Sequence, residues 1–214
     1  MNTGFFRMLL CLIIFCTVCG GVLAQPSVSL VRNPSFEGGS GDNGNGGGVP
    51  EWNPEGAGYH VDRNVFHSGQ QSIRCDSLNP AADMGAEQTI VLNQKAPHPI
   101  LFSAWSRADS VSNAHPSDYS LWIDVTYADG THQYGDIVPF DAGTHDWERV
   151  QETVLPHKPV AQMNVYLLFR QHTGTAWFDD AKAYQLKGST LFDQQRHRKL
   201  PACSCSALHS IRCR

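Results

Sequence analysis

Between Pro26 and Leu186 apolar and polar residues alternate with a period of two, and no long stretch carries a helical repeat. "SVSLVRN" reads as a short strand that stops at Asn33-Pro34. After a glycine-rich loop, "GYHVDR" and "QQSIRC" read as strands with "HSG" as the turn between them. "EQTIVL" and "ILFSAWSRA" come next. In "DYSLWIDVTYADGTHQYGDIVPF" the Ala128-Asp129-Gly130 step is a hairpin signal between two strands. "WERVQETVL", "QMNVYLLFRQ" and "TAWFDDAKAYQL" complete the set. Nine or ten short strands punctuated by Gly, Asn, Asp and Pro predict an all-β fold, a sandwich or barrel.

Alternation also sorts side chains onto faces. Ile100, Phe102 and Ala104 form an inner set that leaves Trp105 and Arg107 opposite. Leu121, Ile123, Val125 and Tyr127 leave Trp122, Asp124 and Thr126 opposite, and Val165, Leu167 and Phe169 leave Asn164, Tyr166, Leu168 and Arg170. Three strands thus each present an aromatic and a charged or hydrogen-bonding residue away from the core. If those strands are neighbours, one face gathers Trp105, Arg107, Trp122, Asp124, Tyr166 and Arg170. A sugar ring stacks its C–H face on an indole or phenol, and its hydroxyls bond to Arg, Asn and Asp at the edges. The plainer alternative is that these rings pack beneath a loop.

The chain of 214 residues suits one domain with a substantial core. Arg7, the apolar run Met8–Val18 and the small residues before Gln25 read as a secretory signal peptide over 1–24. That apolar run is too short to span a bilayer. The expected product is secreted or held at the cell surface, with no membrane contact once the signal is removed. Cys11, Cys16 and Cys19 leave with the signal, and only Cys75 lies within the patterned region, so disulfides do not organise the core. Residues 187–214 hold Cys203, Cys205 and Cys213 without periodicity and read as a basic tail. The net charge is −4; six basic residues against one acid beyond Leu186, together with Arg7, leave −10 for residues 25–186. Such a domain repels phosphates, which argues against a nucleic-acid partner.

A second cluster is acidic. Glu37 follows the first predicted strand and Asp179-Asp180 lies in the last, and first and last strands of a sandwich often pair. Converging carboxylates suit a calcium ion, or the acid and base of a glycosidase, or they are simply solvated turn residues. The histidines, His60, His67 and His115 among them, have no metal-like spacing and receive no role.

"NPSFEGG", "HSGQQSIRC", "LFSAWSRA", "HDWERVQETV" and "AWFDDAKAYQL", in this order from about Leu30 to Leu186, resemble carbohydrate-binding modules of families four, nine, sixteen and twenty-two. The resemblance implies a galactose-binding-like β-jelly-roll sandwich of two antiparallel sheets over 25–186. It further implies a non-catalytic module that holds a polysaccharide or oligosaccharide on its concave sheet, and the protein is expected to be a monomer. A structural calcium is implied too, with Glu37 and Asp179 as ligands and Asp180 as the alternative. Backbone carbonyls would come from Ser35 and from the stretch Ser68 to Gln71; Ser68 stands where some relatives carry an acid. Two other functions remain open: a hydrolase using Glu37 with Asp179 or Asp124, and an adhesive surface domain.

Overall fold

The computed structural model describes residues 28–39 and 48–186. The predicted signal peptide and basic tail lie outside the described residues. The described residues form ten strands, the first five being β1 Asn53–Gly56, β2 His60–Asp62, β3 Ser72–Ser77, β4 Asp83–Val91 and β5 Ile100–Val111. A short 3-10 turn, Pro116–Asp118, precedes β6 Tyr119–Tyr127. Then come β7 His132–Pro139, β8 Gly143–Val154, β9 Val160–Arg170 and β10 Gly174–Gln185. Among the described residues no helix is long and apolar enough to cross a membrane.

The strands form two five-stranded sheets, in the order β1-β4-β9-β6-β7 and β2-β3-β10-β5-β8. Every pairing is antiparallel. This is the expected jelly-roll sandwich. The inner sets read from alternation are the core: Ile100, Phe102, Ala104, Leu121, Ile123, Val125, Val165, Leu167 and Phe169 are all buried. Each sheet buries one face against the other, so period-two patterning is what two stacked pleated sheets require. One polar link crosses the core, where the Ser106 hydroxyl of β5 meets the Tyr119 hydroxyl of β6 at 2.6 Å. Ser106 also donates to the Trp177 carbonyl at 2.8 Å, so neither buried oxygen lacks a partner. Cys75 is buried and unpaired, and burial raises its thiol pKa above the ordinary value.

Among the described residues the predicted strand "SVSLVRN" is not a strand: from Val28 onward it forms no ladder, though Leu30 donates to Ala183 at 2.8 Å and Ala181 donates to Pro34 at 2.8 Å. Asn33 (φ 46) and Phe36 (φ 56) turn the backbone into the left-handed region, which breaks the extended geometry a ladder needs. The segment is held instead by Gln88 of β4, 1% exposed. Its side-chain oxygen accepts from the Arg32 amide at 2.8 Å, and its amide donates to the carbonyls of Arg32 (2.9 Å) and Glu51 (3.1 Å). Trp52 packs against the same segment. Its ring lies 4.7 Å from Phe36 and its indole N–H donates to the Asn33 carbonyl at 2.9 Å.

Gln88→Met keeps the volume but strands three backbone groups. It should lower unfolding free energy by about 1–3 kcal/mol in a denaturant titration, because an unpaired buried polar group keeps its desolvation cost. A change within experimental error would show that water can replace the glutamine.

Candidate functional site: two aromatic faces and a carboxylate clamp

The outer side chains of the first sheet form a grid across its strands. Tyr166 of β9 lies opposite Glu87 of β4 on one side and Trp122 of β6 on the other. One row along, Asn164 stands between Thr89 and Asp124. Glu55 of β1, Trp122, Asp124, Tyr166, Leu168 and Arg170 line an open depression of about 200 Å³. Four of the six residues expected on one sugar-binding face therefore come together.

The aromatic floor is braced from its edges. The Trp122 indole N–H donates to Asp124 Oδ1 at 2.7 Å, and the same oxygen accepts from the Gly135 amide at 2.9 Å. The Arg170 guanidinium lies 5.3 Å from the Trp122 ring centroid and pairs with Asp118 at 2.9 Å. Gly135 permits the indole to lie low over β7, since a Cβ there would stand 3.3 Å from Trp122 Cζ2. Tyr166 accepts a hydrogen bond from Asn164 at 3.2 Å. Burial raises the Tyr166 pKa, and the charges of Asp124, Glu87 and Glu55 add to that. Burial raises the Glu87 pKa as well, followed by repulsion from Glu55. Among the described residues that line it, Arg170 is the one cation and pairs with Asp118, against the carboxylates of Glu55 and Asp124, so the depression is acidic.

Trp105 and Arg107 are elsewhere. β5 belongs to the second sheet, so both residues lie on the opposite outer surface of the sandwich. Their expected grouping with Trp122 is corrected: alternation is identical on every strand and does not say which sheet a strand joins. Trp105 is a cross-strand neighbour of Arg149 on β8 and Asp179 on β10, and the His67 ring stacks on it at 3.9 Å. Arg107 lies 5.9 Å from the centroid of the Trp177 ring.

The predicted metal residues do assemble, on a bulge in β10. Asp179 is opposite Trp105 and Lys182 opposite Ser103, so three steps on β10 face two on β5. Asp180 adopts φ 47 there. Asp179, 0% exposed, accepts from the amides of His67 (2.8 Å), Ser68 (2.9 Å) and Asp180 (2.7 Å). Burial pushes its carboxyl up to about 6 in spite of those three donors. Asp180 receives the Ser35 hydroxyl at 2.9 Å, His67 Nδ1 at 2.8 Å and the Lys182 ammonium at 2.8 Å. Burial opposes the Asp180 charge, but Lys182, His67, Ser68 and Ser35 outweigh it and hold the carboxyl down at about 2. Glu37 accepts from the Gln70 amide at 2.8 Å, and the Gln71 amide donates to the Phe36 carbonyl. Gly69 suits this turn, because its φ of 70 lies in the left-handed region and a Cβ would fall 2.0 Å from Glu37 Oε1, which would have to shift.

Calcium needs six to eight oxygens directed at one point. Here the carboxylates face N–H donors and an ammonium, and the Gln71 side chain presents its nitrogen. Among the described residues no three His, Cys, Asp or Glu side chains converge to hold a metal ion. As arranged, the side chains of Asp179 and Asp180 do not fit a calcium ion: their oxygens accept from N–H donors, and Lys182 pairs with Asp180 at 2.8 Å. Asp124 and Glu37, one of the hydrolytic couples considered, have separate partners: Asp124 accepts from Trp122 and Gly135 on the outer face of the first sheet, and Glu37 accepts from Gln70.

Sequence reasoning passed over Glu55, His67, Arg149 and Lys182. Glu55 sits in "NPEG", where Pro and Gly hide a short edge strand. Lys182 stands two residues from Asp180, a weak signal made meaningful only by the bulge.

No family model matches the chain. It is 35% identical over 147 residues to the tRNA nuclease WapA of Bacillus subtilis (strain 168), covering 65% of this chain and 6% of that protein. It is 38% identical over 110 residues to the tRNA3(Ser)-specific nuclease WapA of Bacillus spizizenii, covering 49% of this chain and 4% of that one. The chain thus spans only a small fraction of the length of these curated relatives. Among solved structures it is similar to the CBM22-1 xylan-binding domain of Paenibacillus barcinonensis Xyn10C (TM-score 0.51, 14% identity, 72% of this chain and 92% of that one). The tandem CBM22-1–CBM22-2 domain of the same protein gives a TM-score of 0.53 at 15% identity, covering 77% of this chain and 47% of that one. At such identities the likeness is one of fold: the chain has the β-sandwich architecture of carbohydrate-binding modules.

If Lys182 supplies the clamp's cation, a calcium chelator should leave the melting temperature unchanged. Lys182→Met should lower stability by on the order of 1 kcal/mol, since Asp180 loses a charge-assisted bond. A melting temperature that rises with added calcium and falls with chelator would restore the metal.

Proposed function

We propose that the outer face of the β1-β4-β9-β6-β7 sheet binds a neutral saccharide by stacking and hydrogen bonding, without bond cleavage. The observation that carries this reading is the cross-strand pair of Trp122 and Tyr166 on the floor of an open depression. Two rings side by side give a sugar an apolar platform, and Glu55, Asp124, Asn164 and Arg170 offer hydrogen bonds at its rim. A ring already fixed by Asp124 and Arg170 loses little rotamer freedom when a ligand arrives. Glu55, Glu87 and Asp124 would repel a uronate here, which favours an uncharged sugar.

The fold likeness to xylan-binding domains supports a polysaccharide or oligosaccharide as the partner. The leader-like segment over 1–24 supports export to the medium or cell surface. The nuclease names belong to proteins of which this chain matches 6% or less, and −10 over residues 25–186 opposes RNA phosphates. We therefore assign the chain a binding role rather than nuclease activity.

Affinity electrophoresis against neutral plant and microbial polysaccharides should show retardation. Trp122→Ala and Tyr166→Ala should each weaken it by about ten-fold, the effect of losing roughly 1.4 kcal/mol of stacking and contact. No retardation by any neutral polysaccharide, or variants that migrate like the parent, would sink the proposal.

A further inference from the structure

The face carrying Trp105 is not explained by the reading above, and its chemistry is the reverse of the first. Ser103, Trp105, Arg149, Asp180, Lys182 and Tyr184 line a depression of about 330 Å³ on the outer surface of the β2-β3-β10-β5-β8 sheet. The register explains its shape. Trp105 and Arg149 are direct cross-strand neighbours, and the next row along holds Lys182, Ser103 and Gln151. Tyr184 follows, opposite Leu101. The indole is held from one side by the stacked His67 ring at 3.9 Å and 20°, and Trp147 meets His67 edge-on at 5.6 Å. His67 is itself anchored to Asp180 at 2.8 Å. Trp105 is therefore a fixed wall.

Charge decides what such a wall would take. Asp180 is already engaged by Lys182, His67 and Ser35, so its negative charge is compensated. Arg149 is exposed, and its guanidinium makes no hydrogen bond or ion pair among the described residues. The hydroxyls of Ser103 and Tyr184 likewise bond to nothing among the described residues. A guanidinium with five donors in a rigid fork, set beside an indole, matches a planar carboxylate on a ring that stacks. Among the side chains that line the depression, Arg149 and Lys182 against Asp180 leave one net positive charge, with Asp179 fully buried beneath and capped by three amides, which suits a monoanion better than a phosphate dianion.

We propose that this second depression is a saccharide site selective for uronic acids. The sugar ring stacks on Trp105, its carboxylate is held by Arg149, and Ser103, Tyr184 and Lys182 bond to its hydroxyls. The site is independent of the Trp122 face, and the two lie on opposite surfaces of one sandwich, so a single chain can engage a neutral and an acidic glycan at once.

Calorimetric titration of the full chain with a galacturonate or glucuronate oligosaccharide, and with its carboxyl-reduced neutral counterpart, tests this. The uronate should bind at least ten-fold more tightly than the reduced sugar, and less tightly as salt is raised. Arg149→Ala and Trp105→Ala should each lower uronate affinity about ten-fold or more, Arg149→Lys should recover part of it, and Trp122→Ala should leave it unchanged. Arg149 is exposed, so its variants should melt like the parent and separate binding from folding. Absent uronate binding, equal affinity for the reduced sugar, or uronate binding lost with Trp122→Ala but not with Arg149→Ala would overturn the proposal. Neutral-polysaccharide binding that weakens in Trp122→Ala and Tyr166→Ala while uronate binding persists supports two separate sites.

Discussion

The bulge at Asp179-Asp180 is the constraint around which the rest of the second sheet is arranged. β10 is its central strand, flanked by β3 and β5, and a regular pleat would have sent two successive acids to opposite faces. The extra residue and the φ of 47 at Asp180 let both carboxylates bond to the His67-Ser68 turn. Asp179 can remain buried because three backbone amides point at it, and two of those amides define the turn at His67-Ser68. Asp180 then reaches the N-terminal segment through Ser35 and the outer surface through Lys182. Three pieces of chain distant in sequence are thus tied by one local irregularity. Removing a carboxylate here would strand several donors at once, which costs more than losing any single bond.

The same bulge links stability to surface chemistry. His67 is positioned by Asp180 and in turn stacks on Trp105, so the wall of the second depression is set by the clamp behind it. On the other sheet the bracing is different: Trp122 is fixed by a carboxylate in its own plane and a guanidinium over its face. Both rings are preorganised, one through a neutral-to-cationic surround and one through an acidic surround. A thin sandwich has two outer faces, and nothing in the packing of its core restricts binding chemistry to one of them.

Most of the fold was legible because burial imposes a period of two on any strand with one dry face. The inner sets around Phe102, Ile123 and Leu167 needed nothing more than that rule. What alternation lacks is any record of which strands pair. Trp105, Trp122 and Tyr166 carry the same outward signature, yet only the last two share a sheet, because β5 pairs with β8 and β10 while β6 pairs with β9. Pairing is decided by long-range register and loop routing, neither of which is written locally. The same limit hid β1 behind its Pro and Gly, and it turned "SVSLVRN" into a strand on paper where Asn33 and Phe36 bend the chain. The acids near each end of the domain both reach the 67–70 turn, Glu37 at Gln70 and Asp179 at His67 and Ser68. Their partners were not visible, since amide donors and a lysine displaced by a bulge leave no spacing pattern.

Residue type alone therefore underdetermines a carboxylate cluster. Glu37, Asp179 and Asp180 look like a hard-cation site in one dimension, and in three dimensions their oxygens point at nitrogen donors. An ammonium carried on the chain has one advantage over a bound ion: it comes at no cost in translational freedom and does not vary with the calcium content of the surroundings. Its drawback is geometric, because Lys182 offers three donors from one direction where calcium would gather ligands from all sides. The backbone amides of the 67–70 turn supply the missing directions, which is why that turn, through Gly69, is as necessary to the clamp as the acids are.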